Sequence, residues 1–154
     1  MNKILIPIDF QRQSHFALEQ SYNLARLLKA EIILLYVHEQ SGMFAGIFSN
    51  DQNNEILAKI DERLAELAGK TSLAALVPVS YRIEKGRIYS KITEVAKEMN
   101  VQYIVLGTHS SEEDEIREKR VGANSSRVIR NSPCPVITIN AKHLHQGCRN
   151  ILLP

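Results

Sequence analysis

Gly107 and Gly122 bracket a polar, charged stretch that follows an apolar segment, Tyr103-Ile-Val-Leu106, and precedes a helix-patterned one, Val121 to Arg130. Glycines placed between a strand and a helix let unpaired backbone N–H groups and the positive end of the helix dipole face an anion, so the chemistry expected here is phosphate binding. His109 lies inside the same stretch, where an imidazole can touch phosphate, act as acid or base, or shape the turn. Two further positions end apolar runs: Asp9, read equally as a ribose or adenine contact or as a cap for the first helix, and Val37. No Ser-His-Asp set or paired carboxylates stand out, so catalysis is not required of these residues. His143, His145 and Cys148 could supply three metal ligands, but a zinc site adds a fourth ligand or a shaped water position, and a polar linker is the preferred reading.

These residues need elements to hold them. Lys3-Ile-Leu-Ile-Pro-Ile8 and Glu31-Ile-Ile-Leu-Leu-Tyr-Val37 are short unbroken apolar runs, as expected of strands buried on both faces. Between them Ala17, Leu18, Ser21, Leu24, Ala25 and Leu28 follow helical spacing, with Ser14 as the expected N-cap. Gly42 to Phe48, apolar and interrupted by glycine, reads with the polar run Ser49 to Asn54 as a loop. Its Met43, Phe44, Ile47 and Phe48 fold over their own domain or a dimer mate, or meet a partner or membrane surface. Ile56, Ile60, Leu64 and Leu67 mark a second helix, for which Gly69 is the expected stop. Val77 to Ile83 is the third strand, an edge strand carrying Pro78. A helix built on Ile88, Ile92, Val95, Ala96 and Met99 follows Gly86, then a strand from Tyr103 to Leu106 ending at Gly107, a helix over Val121 to Arg130, and a strand from Val136 to Ile139. Strands alternating with helices predict an α/β doubly wound parallel sheet, whose ligands bind outside the carboxyl ends of the strands where the strand order switches. Asp9, Val37 and Gly107 all fall at such ends.

At 154 residues there is room for one core. A formal charge of +2 is too small to imply nucleic acid without a concentrated basic face, and no apolar run approaches a membrane span, so neither partner is expected. The absence of a signal segment and the presence of only Cys134 and Cys148 fit a cytoplasmic protein with free thiols. Residues 1–141 read as the domain. Residues 142–154 read as a linker and the truncated start of a second copy, because Arg149-Asn-Ile-Leu-Leu-Pro154 repeats the residue classes of Asn2-Lys-Ile-Leu-Ile-Pro7; a sixth strand or an ordered tail is the alternative.

Tyr103-Ile-Val-Leu-Gly-Thr-His-Ser110 followed by Val121-Gly-Ala-Asn-Ser-Ser-Arg-Val-Ile-Arg-Asn-Ser-Pro-Cys-Pro-Val136 resembles the universal stress protein family, and Lys3 to Asp9, Ile33 to Val37 and Gly86 agree with it. The resemblance spans nearly the whole chain. It implies a flavodoxin-like sheet of five parallel strands in the order 3-2-1-4-5 with about four helices, pairing through the last strand as a homodimer or tandem domains, and two branches of which one binds ATP. In that branch the loop reads Gly-x-x-Gly, nine residues, then Gly-Ser or Gly-Thr. Carried over by position, Asp9 and Val37 border adenine and ribose, Leu106 and Gly107 line the start of the loop, and Gly122, Ala123 and Asn124 meet phosphates, with His109 and Ser110 between.

The match departs at three points. Ser110 stands where the second glycine belongs, eleven residues separate it from Gly122, and Ala123 replaces the hydroxyl-bearing residue. Glu112, Glu113, Asp114, Glu115 and Glu118 also crowd the stretch, against Arg117, Lys119 and Arg120. The leading expectation is therefore a stress-response regulatory domain with a degenerate site for ATP or AMP, with Mg only if ATP binds. The alternatives are an interaction or dimerisation module without nucleotide and, third, a weak ATP hydrolase.

Overall fold

Successive residues of the first apolar run point to opposite sides of one sheet. Ile4 and Ile6 join one buried cluster with Ile32 and Leu34, whereas Leu5 joins another with Ile33 and Leu35. A strand coated on both faces can carry no polar alternation, which is why these runs are unbroken. The structure is a computed structural model, described over residues 1–39, 50–108 and 123–140. Its elements are β1 (Asn2–Pro7), α1 (Arg12–Leu28), β2 (Ala30–His38), α2 (Asn50–Ala75), β3 (Val79–Lys85), α3 (Ile88–Glu98), β4 (Tyr103–Thr108), α4 (Ala123–Asn131) and β5 (Val136–Asn140). The five strands form a sheet in the order β3-β2-β1-β4-β5. All pairings are parallel, with Ile4 of β1 opposite Ile32 of β2 and Tyr103 of β4. This is the expected flavodoxin-like α/β arrangement.

Helices α1 and α2 cover one face through Ala17, Leu18, Ala25, Ile60, Leu64 and Ala68. Helices α3 and α4 cover the other through Ile92, Val95, Ala96 and Val128. Helix α1 lies so close to β4 that a Cβ on Gly107 would sit 2.2 Å from the Gln13 carbonyl oxygen and 2.9 Å from the Ser14 nitrogen. Only glycine permits that approach.

Several boundaries differ from expectation for identifiable reasons. Ser14 is not the N-cap of α1; that position is Gln11, whose side chain makes no capping bond. The Asp9 carboxylate fastens the turn ahead of the helix, with Oδ1 accepting from the Gln11 N–H at 2.9 Å and from the Ser14 hydroxyl at 2.7 Å. The polar residues from Asn50 to Asn54 begin α2 rather than close a loop, and α2 does not stop at Gly69 but continues to Ala75. Its buried stripe runs on through Ala68, Thr71 and Ala75, so packing holds a glycine inside the helix. The chain turns away at Leu76, which takes a left-handed conformation (φ 57°), as do Lys29 after α1 and Asn100 after α3. Strand β3 starts beyond Pro78, whose carbonyl accepts from the Ile32 N–H at 2.9 Å, and β4 runs past Gly107 to Thr108. Helix α4 is described from Ala123. The patch from Met43 to Phe48, the groups His143, His145 and Cys148, and the repeat at Arg149–Pro154 lie outside the described residues. Cys134 is a free thiol. No described helix is long and apolar enough to cross a membrane.

Candidate nucleotide site

The chain winds outward from β1 to β2 and β3, then returns to place β4 on the other side of β1. The ends of β1 and β4 therefore diverge into connections on opposite faces of the sheet, leaving a crevice between them. A cavity of about 640 Å³ occupies that crevice, within the roughly 300–1,000 Å³ typical of small-molecule sites. Its walls are the end of β1 (Pro7, Ile8, Asp9), Ser14 of α1, the end of β2 from Leu35 to Glu39, Ile88 and Ile92 of α3, Leu106 and Gly107 of β4, and Ala123, Asn124, Ser125 and Val128 of α4.

Six of the nine expected site residues line this one cavity: Asp9, Val37, Leu106, Gly107, Ala123 and Asn124. His109, Ser110 and Gly122 lie outside the described residues. Sequence reasoning did not single out His38 or Glu39, although both simply continue the run that ends at Val37. Ile88, Ile92 and Val128 carried only the signal of a helix face packed on the sheet. The structure gives them both roles, since each also belongs to or packs against the buried cluster on that face.

Local chemistry fixes the polar groups. Asp9 leaves the end of β1 just before Phe10, which holds a left-handed φ of 60°. The Phe10 ring rests 5.7 Å from that of Tyr36, and the Arg63 guanidinium lies 4.0 Å from its centre. These contacts hold the turn and aim the Asp9 carboxylate along α1. Oδ1 is occupied by the Gln11 N–H and the Ser14 hydroxyl; Oδ2 accepts no hydrogen bond among the described residues. The end of β2 is tied to the next turn by the Gly86 N–H, which donates to the His38 carbonyl at 3.0 Å, and Gly86 takes the positive φ of 141° that favours glycine.

On the opposite wall the first turn of α4 presents Ala123, Asn124 and Ser125, and the N–H groups of such a turn have no partner within the helix. Arg127, one turn along, sits 5.2 Å from the centre of the Tyr89 ring and joins α4 to α3. The Tyr89 hydroxyl is held below its ordinary pKa by its hydrogen bond with Ser90 and then by Arg87. The cavity wall thus combines apolar side chains (Ile8, Val37, Ile88, Leu106) with two carboxylates (Asp9, Glu39) and the polar side chains of Ser14, Asn124 and Ser125. Such a wall can pack an apolar ring system and hydrogen-bond its polar substituents. Gly107 serves the close docking of α1 on β4, a packing reason for a glycine that the sequence alone assigns to the phosphate loop. Among the described residues no cluster of His, Cys, Asp and Glu could hold a metal ion.

The model of the universal stress protein family matches residues 1–140. The chain belongs to the universal stress protein family. Universal stress protein MJ0531 of Methanocaldococcus jannaschii is 26% identical over 148 residues, covering 89% of this chain and 81% of the relative. Among solved structures, hypothetical protein MJ0577 superposes with a TM-score of 0.76 at 24% identity, covering 90% of this chain and 95% of that one. An AMP-bound universal stress protein family member from Arabidopsis thaliana superposes with a TM-score of 0.64 at 17% identity, covering 91% and 92%. At these identities the structural likeness speaks for the fold of a universal stress protein domain, which the strand order already displays.

Proposed function

We propose that this universal stress protein domain binds an adenine nucleotide in the crevice between β1 and β4 and acts as a ligand-responsive regulatory domain. The observation that carries the reading is convergence: Asp9, Val37, Leu106, Gly107, Ala123 and Asn124, distant in sequence, line one cavity at the switch in strand order. The AMP held by the Arabidopsis thaliana protein is in keeping with it. In this reading adenine packs against Val37 and Leu106, and Asp9, through Oδ2, accepts from ribose hydroxyls. The first turn of α4 faces the phosphate end.

Calorimetric titration with AMP and ATP tests this. Binding at micromolar to low millimolar ligand is expected. Ala123→Glu, which puts a carboxylate into the cavity from an exposed first-turn position, should abolish it with an unchanged circular dichroism spectrum. No heat from either ligand up to millimolar concentration overturns the proposal.

A second reading, pairing with another copy or a tandem domain, is favoured by one observation. Strand β5 pairs with β4 on one side only, and its other edge meets no strand among the described residues. Sedimentation equilibrium checks it: a monomer at micromolar concentration removes the homodimer.

A further inference from the structure

Three leucines stand in solvent where α1 and α2 end. Leu27 of α1 and Leu73 of α2 are each 80% exposed, and Leu76, just past α2, is 77% exposed. The Arg26 guanidinium ties the two helix ends together, reaching from the last turn of α1 to the Ala74 and Ala75 carbonyls at 3.5 and 3.3 Å. Ser14, at the start of α1, lines the cavity, and Leu27 lies roughly 20 Å further along the helix. What the leucines serve is therefore independent of any ligand in the cavity.

Single exposed leucines are ordinary on a protein surface, but two features set this group apart. Gly69 lies one helical turn before Leu73 and shares its outward side, and a Cβ there would meet nothing within 4 Å. Glycine weakens the interior of a helix, and among the described residues nothing requires it at 69. A backbone pressed close from outside does. Leu76 also holds a left-handed φ of 57°, and Lys29, which closes α1, one of 49°. Bulky side chains rarely adopt that conformation, and such outliers gather where a surface makes contacts.

The rim is basic. Over residues 23–29 and 66–76 three side chains are cationic (Arg26, Lys29, Lys70) and only Glu66 is anionic. Glu66 is paired with Lys70, and Lys29 is exposed without an ion pair among the described residues. A second copy docked face to face through the leucines would bring both sets of cations together. A lipid surface gains nothing from the missing Cβ at 69. A protein helix with acidic flanks matches the apolar patch, the basic rim and the notch at Gly69 together.

We infer that the joined ends of α1 and α2 are a docking site for an acidic amphipathic helix of another protein, which packs apolar residues on Leu27, Leu73 and Leu76 and crosses at Gly69.

The probe is a fluorescein-labelled synthetic helix of about 18 residues, long enough to be helical, with leucines at i, i+4 spacing and glutamates on its flanks. Its counterpart carries lysines in place of the glutamates. Fluorescence anisotropy with the full chain should show the acidic helix binding at micromolar to submillimolar concentration, more weakly as salt rises. Leu73→Gln and Gly69→Gln should each weaken binding at least tenfold with an unchanged circular dichroism spectrum, and Gly69→Gln should not lower the denaturant midpoint. No binding of the acidic helix, or equal binding of the lysine counterpart, overturns the inference. So does a dimer in sedimentation that Leu73→Gln dissolves, which gives the surface to a second copy. Flotation with phosphatidylglycerol vesicles that Leu73→Gln abolishes overturns it in favour of lipid.

Discussion

The two faces of the sheet are finished differently. On the face covered by α1 and α2, helices of 17 and 26 residues pack on the sheet, and α1 docks against the backbone of Gly107 with no room for a side chain. On the other face α3 has 11 residues and α4 nine, and among the described residues a cavity lies at the ends of β1, β2 and β4. The same kind of strand, apolar on both sides, thus ends in solid packing on one face and in a cavity on the other. The switch in strand order between β1 and β4 sets where that cavity lies. Ile92 and Val128 show the consequence: they complete the buried cluster and form the cavity wall together.

The sharpest way to break this comparison is at the closed face. Gly107→Val would drive side-chain atoms into the Gln13 carbonyl and the Ser14 nitrogen, which belong to helix backbone and cannot rotate away. Displacing α1 from the sheet should cost about 4 kcal/mol or more, at the extreme of single substitutions. Urea denaturation followed by circular dichroism measures it. A loss under about 1 kcal/mol would mean that α1 does not dock flush on β4.

A smaller contrast compares the same truncation on each face. Leu64 is fully buried beneath α2, while Leu106 is 5% exposed and borders the cavity. Leu64→Ala leaves a void enclosed by α1, α2 and the sheet and should cost about 4 kcal/mol, whereas Leu106→Ala only enlarges an existing space and should cost about 2 to 3 kcal/mol. Denaturant midpoints for the two variants check the order. Equal losses would mean that the cavity relieves no packing strain on its own face.

The difference between the faces also explains what could be read from the residues. Strands with two buried faces announce themselves, so β1, β2 and β4 were legible, and their alternation with helices fixed the class of sheet. The start of α1 was harder, because Asp9 and Ser14 are both good capping types and neither caps the helix, whose N-cap is Gln11. Helix stops were obscured by chemistry. Lys29 and Leu76 adopt the left-handed conformation usually given to glycine, at a cost of about 1 to 2 kcal/mol each, while the glycine at 69 lies within a helix. In the candidate site, Asp9, Val37 and Gly107 were legible because topology dictates that strand ends converge. Ile88, Ile92 and Val128 were not, since a helix stripe that packs on a sheet and one that walls a cavity have the same spacing.

Gly69 gives the smallest and most diagnostic effect. It lies inside α2 on an exposed side, and a Cβ built there meets nothing within 4 Å. Alanine at an interior helical position loses less backbone entropy on folding than glycine, so Gly69→Ala should stabilise the protein by about 0.5 to 1 kcal/mol. The gain should appear as a higher denaturant midpoint with an unchanged slope, because no additional surface is exposed on unfolding. If Gly69 instead closed the helix in a left-handed turn, as the sequence alone suggests, alanine would be strained there and the midpoint would fall. The sign of one small shift therefore tells whether α2 extends along the whole closed face, and with it whether Thr71 and Ala75 are core residues of that face.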